Sequence, residues 1–136
     1  MKKTITIILV LLVSSISFAQ NEKMIEGKWK FKNLYEEEKL EEKDIQTAKM
    51  FFKDMSISFS EGNYDGQFMG VKDTGTYKVK GQKKIIMTSN KEGRENAMLI
   101  IKVSKNELII GMGKGGKDGK FVMQRIEPAD EALKQN

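Results

Sequence analysis

A chain of 136 residues with 24 basic and 19 acidic side chains, no cysteine and no histidine has the size of one small domain. Without thiol or imidazole, it excludes a disulfide scaffold, Ser-His-Asp and Cys-His nucleophile systems and most zinc sites. Its surplus of cations is spread as scattered lysines, where a nucleic-acid footprint would need them clustered.

Residues 1–19 read as a cleaved export signal. Lys2 and Lys3 form a positive start, Ile5 to Val13 an apolar run, and Ser17-Phe18-Ala19 a small-x-small cleavage site before Gln20. The run is far short of the ~20 residues that span a bilayer. With no cysteine after it, a lipoprotein anchor is chemically impossible. The expectation is an exported bacterial protein, periplasmic or secreted, with no membrane anchor. Removing Lys2 and Lys3 leaves 22 basic against 19 acidic residues, a net of +3. Such a chain is held by its core and backbone hydrogen bonds, and at this length it buries about two-thirds of its unfolded surface.

The first strand is predicted over Gly27 to Leu34. Trp29, the only tryptophan, and Phe31 point to one face, while Lys28, Lys30 and Lys32 point to the other. Gly27 allows a sharp bend that lets Trp29 lie across the end of a sheet. The charged segment from Tyr35 to Lys43 then reads as an acidic loop entering one helix within 40–53. Asp44 is its candidate cap, and Ile45, Ala48, Phe52 and Met55 form its apolar stripe.

From Met55 the period becomes two. Met55, Ile57 and Phe59 alternate with Ser56, Ser58 and Ser60, and Glu61-Gly62-Asn63 turns into a strand from Tyr64 to Met69. Further strands follow from Thr74 to Lys80, Lys84 to Thr88, Ala97 to Val103, Glu107 to Met112 and Phe121 to Ile126. The stretch 97–103 is apolar on both faces at its centre. Residues 20–127 therefore form the domain, and the polar residues 128–136 a loosely held tail.

Eight short strands with no βαβ alternation predict an all-β fold, an antiparallel up-and-down barrel with one short helix between its first two strands. Eight strands enclose an interior just wide enough for side chains or one small ligand. The expected lining is Phe31, Ile57, Phe59, Phe68, Tyr77, Val79, Met87, Leu99, Ile101, Leu108, Ile110 and Met123.

The Gly27-Lys28-Trp29 opening, the strand order and Arg125 in the last strand resemble the bacterial lipocalin-like family, within the calycin group. The resemblance implies that Arg125 packs over Trp29 to close one end, with Gly27 as the third member of that closure. The chain departs from lipocalins in lacking a Thr-Asp-Tyr turn motif and in placing a helix where many carry an open loop.

Other chemistry finds little support. Glu36-Glu37-Glu38 and Glu41-Glu42 read as a solvated acidic face, and Glu61 to Gly66 lacks the spacing of a calcium loop. Gly111 to Gly119 imitates two phosphate-binding patterns, but those require a following helix and here a strand follows. No catalytic residue, metal or cofactor is expected, and the chain reads as a monomeric non-enzyme. Two functions stay open. One is a carrier of a small hydrophobic ligand inside the barrel, lined by Phe59, Tyr64, Gln67, Phe68, Tyr77, Leu99 and Ile110, with Tyr64, Gln67 and Tyr77 as polar anchors. The other is a barrel with a filled core that meets a protein partner, as inhibitor or interaction module, through its outer surface.

Overall fold

The alternation of apolar and polar side chains sets the architecture. The computed structural model describes residues 21–113, 116 and 119–127. The segments read from the sequence as an export signal (1–19) and a tail (128–136), and Lys114, Gly115, Lys117 and Asp118 of the glycine-rich stretch, lie outside the described residues. Eight strands run in order: β1 (Gly27–Leu34), β2 (Ser56–Ser60), β3 (Asn63–Phe68), β4 (Val71–Lys80), β5 (Lys84–Ser89), β6 (Glu95–Val103), β7 (Glu107–Met112) and β8 (Gly119–Ile126). Each pairs antiparallel with the next, and β1 also pairs with β8, so the sheet closes as an up-and-down barrel. Closure leaves no unpaired edge.

Two hairpins use two-residue turns, Glu61-Gly62 and Met69-Gly70, and the β4–β5 hairpin turns through Gly81, Gln82 and Lys83. Both residues of each two-residue turn, and Gly81 and Gln82, are at positive φ. That conformation matches the right-handed twist of the flanking strands. The longer connection between β1 and β2 holds a 3₁₀ turn (Glu37–Lys39) and helix α1 (Glu42–Phe52). Asp44 is not the cap of α1. Glu41 occupies that position without a capping side-chain bond, and Asp44 lies in the first turn, where its charge complements the helix dipole. Ile45, Ala48 and Phe52 pack half-buried against the core, as their spacing on one helix face requires. Met55 lies past the helix end, buried, and its carbonyl accepts the Phe31 N–H at 2.9 Å.

The barrel centre is filled by its own side chains. Trp29, Phe59, Ile85, Leu108, Ile110 and Met123 are almost wholly buried, each contributing roughly 1.5–3 kcal/mol relative to exposure. The Phe59 and Tyr77 rings meet edge to face with centroids 4.8 Å apart. The inner face of β6 differs from the expected one: Met98 and Ile100 are in the core, whereas Leu99 and Ile101 lie on the outer face beside Gly111. A strand apolar on both faces carries no parity signal, and a bulge between Ile100 and Lys102 shifts its register.

Candidate ligand-binding site

The two ends of the barrel are built differently. At the end where β1 begins, the Arg125 guanidinium lies 4.2 Å from the centroid of the Trp29 ring. Its Nε donates to the Lys105 carbonyl at 2.6 Å, Nη2 to Met24 at 2.6 Å, and Nη1 to Glu26. The Trp29 indole N–H donates to the Ile25 carbonyl at 2.7 Å. One planar cation thereby ties the N-terminal turn, β8 and the β6–β7 loop together over a buried indole. Gly27 is required beneath it: its φ is +119°, and a Cβ there would run into Arg125 Nη1. This end is sealed.

Toward the other end, a polar network lines the inner wall. Tyr64 donates to Asp73 Oδ2 at 2.8 Å, and Ser89 Oγ to Asp73 Oδ1 at 2.7 Å, joining β3, β4 and β5. The Tyr64 ring lies over Gly75, where a Cβ would meet Tyr64 Cε1 at 2.7 Å and the Thr88 carbonyl oxygen. Burial, and next the bond to Asp73, pushes the Tyr64 hydroxyl up to about 12. The hydrogen bonds from Ser89 and then from Tyr64 hold the Asp73 carboxyl below its ordinary range.

Above this wall sits the mouth, covered by α1. Phe52 is the pivot: its ring lies 6.1 Å from Phe31, 5.3 Å from Phe68 and 4.7 Å from Phe121, centroid to centroid. Between α1, the end of β1 and the start of β8 opens a cleft of about 510 Å³. Leu34, Leu40, Ala48, Phe52 and Phe121 give it an apolar lining, with Gly116 and Gly119 on the β8 side. Tyr35, Asp44 and Lys120 bring the polar groups. A smaller hollow of about 270 Å³ lies on the outer wall, lined by Lys28, Lys30, Lys53, Asp54, Ser56, Gln67 and Ile126. It exists because the outward side chains of β2 are all serines, shorter than the lysines of β1 beside them.

The expected lining residues separate into groups. Phe59, Tyr77 and Ile110 are packed within the core, and Tyr64 is buried with its hydroxyl committed to Asp73. Phe68 stands at the mouth, 37% exposed, against Phe52. Gln67 and Leu99 do not face inward: Gln67 is in register with Ser56 and lines the outer hollow, and Leu99 is outside β6. Gln67 follows from pairing parity, since its neighbour Gly66 lies opposite the inward Ile57. The cleft residues Leu34, Tyr35, Leu40, Lys120 and Phe121 were not singled out, because the cleft joins segments that are distant in the chain. Asp73 had a signal: it shares parity with the inward Tyr77.

Among the described residues, no group of three or more acidic, histidine or cysteine side chains is placed to hold a metal ion. No described helix is long and apolar enough to cross a membrane.

Comparison with known proteins places this geometry. A lipocalin-like protein from Bacteroides uniformis ATCC 8492 is similar at 15% identity and a TM-score of 0.53, over 76% of this chain and 99% of its own. A duf4847 family protein from Bacteroides vulgatus ATCC 8482 is similar at 15% identity and a TM-score of 0.48, over 77% of this chain and 95% of its own. No curated protein matches the chain. The model of the lipocalin-like domain matches residues 25–110, more than half of the length, and the chain belongs to that lipocalin-like family.

Proposed function

We propose that the protein acts after export as a monomeric, non-enzymatic carrier of a small apolar or amphipathic molecule, held in the cleft beneath α1. The observation that carries this reading is the cleft itself. Its volume of about 510 Å³ falls within the ~300–1,000 Å³ usual for ligand sites, and it has the usual apolar lining with few polar groups. The barrel centre is occupied by the core, so the mouth takes the role that an open interior plays in wider barrels. Asp44, Tyr35 and Lys120 would orient the polar end of the ligand.

Native mass spectrometry of protein purified from its host, followed by titration with fatty acids of increasing length, tests the reading. Ala48→Trp places an indole in the cleft on an α1 face that is only half-buried. It should abolish binding while leaving the melting temperature nearly unchanged. Equal binding by wild type and Ala48→Trp, or no bound mass and no titration, would remove the carrier reading. The filled barrel centre favours a second reading, a protein-interaction module or inhibitor working through the outer wall. Co-purification of one stoichiometric protein and no small molecule would support it.

A further inference from the structure

We propose that the open end of the barrel docks reversibly on an anionic lipid surface, through the tip made by the end of α1 and the β3–β4 hairpin. Four large apolar side chains there face solvent: Met50 at 75% exposure, Phe51 at 53%, Met69 at 53% and Val71 at 63%. The Phe52–Phe68 ring contact, centroids 5.3 Å apart, holds the two pieces side by side. Scattered exposed apolar residues need no explanation, but a group at one end marks an interaction surface. Met69 sharpens the point. It occupies the first central position of a two-residue turn at φ 52°, where Asn, Asp or Gly is favoured, and it places a thioether in water.

The charges around the tip select the partner. Lys49 and Lys53 bracket Met50, Phe51 and Phe52 in the chain, and Lys72 follows Val71. Lys91 donates to the Lys72 carbonyl at 3.1 Å, which brings its ammonium to the same hairpin. Of the nearby acids, Asp73 turns inward to Tyr64 and Ser89, Glu37 and Lys49 offset each other at 3.3 Å, Glu92 beside Lys91 lies 3.5 Å from Arg94, and Asp54 is exposed, so Lys53, Lys72 and Lys91 form the collar. Apolar tips with a lysine collar suit a headgroup layer: the ammonium groups meet phosphates while Phe, Met and Val enter the acyl boundary. The inference goes beyond the carrier reading and stands whether or not the cleft holds a ligand.

The chain has no cysteine, so Met69→Cys and, at the sealed end, Lys105→Cys each accept one environment-sensitive fluorophore. The full chain is mixed with phosphatidylcholine vesicles with or without phosphatidylglycerol. The label at position 69 should shift to the blue only with anionic vesicles and be quenched by lipid-borne quenchers. The label at position 105 should not respond. Lys53→Gln and Lys72→Gln should each weaken partition about fivefold, and Met50→Ser with Phe51→Ser should remove the shift. A silent label at position 69, an equal response at 105, or indifference to the lysine changes would overturn the proposal. So would a shift at 69 that rises with protein concentration without lipid, which would make the tip a contact between copies of this chain.

Discussion

Removing the Arg125 side chain is the sharpest test of how the sealed end is held. Arg125→Ala takes away a cation 4.2 Å from the Trp29 ring centroid and three hydrogen bonds to main-chain carbonyls. The ring contact is partly open to water and contributes about 1 kcal/mol. The carbonyls of Met24, Glu26 and Lys105 regain water at the rim, so each bond counts for about 0.5–1 kcal/mol rather than the full value of a buried charged bond. The total comes to about 2.5–4 kcal/mol, or a fall of roughly 10–20 °C in Tm for a domain of this size. Arg125→Lys keeps the charge but cannot span three carbonyls with one planar group, so it should restore less than half. Gly27→Ala should act through the same contact, because its Cβ would displace Arg125 Nη1. The double variant should therefore be less destabilised than the sum of the singles. Urea unfolding followed by far-UV circular dichroism and by Trp29 emission measures the four variants against wild type. An Arg125→Ala protein within about 0.5 kcal/mol of wild type, the scatter of ordinary surface changes, would refute the reasoning.

Other outcomes follow from the inner wall and the mouth. Gly75→Ala would force a Cβ against the Thr88 carbonyl and the Tyr64 ring, and chemical denaturation should show a loss toward the upper end of about 1–3 kcal/mol. Tyr64 titrates higher in the folded state, at about 12, than in an unfolded chain at about 10. Its contribution is therefore complete below pH ~10 and lost as the pH rises toward ~12; Tyr64→Phe should flatten that alkaline limb in denaturation curves taken across the range. Asp73 is shifted the other way, so its contribution is present above the unfolded carboxylate range and lost as the pH falls through its lower folded value. Asp73→Asn should weaken the fold at neutral pH and reduce its acid sensitivity, and an unchanged acid limb would count against the network. Phe52→Ala breaks three ring contacts and should cost about 2–4 kcal/mol, with faster amide exchange in α1.

The barrel was legible because most strands declare a parity. In β2, Ile57 and Phe59 alternate with serines, and in β4 Tyr77 and Val79 alternate with lysines; both pairs face the core. Where the sequence is apolar on both faces, as at Met98 to Ile101, nothing local chooses the inner side; the register with β7 sets Ile100 opposite the buried Ile110 and Leu99 opposite Gly111. The helix stripe Ile45, Ala48 and Phe52 could be read from spacing, but not the cleft beneath it. That cleft exists only once Leu34 and Phe121, brought into register by the closing of β1 on β8, face the same helix. Gly27, Trp29 and Arg125 were readable through a resemblance, while the bonds of Arg125 to Met24, Glu26 and Lys105 depend on the chain path around it.

The closure between β1 and β8 also has a kinetic meaning. Most neighbouring strands are joined by short hairpins, but Arg125 reaches carbonyls 99 and 101 residues away in the chain. Local hairpins can form early, whereas a contact across so long a loop costs chain entropy before it returns any stability. The seam should therefore zip after the main folding barrier, leaving Arg125 uninvolved in the transition state. In stopped-flow experiments Arg125→Ala should accelerate unfolding and leave the folding limb in place. A folding limb slowed in proportion to the lost stability would put barrel closure at the barrier itself. If the seam closes last, it also opens first, and the sealed end governs how long a folded molecule lasts.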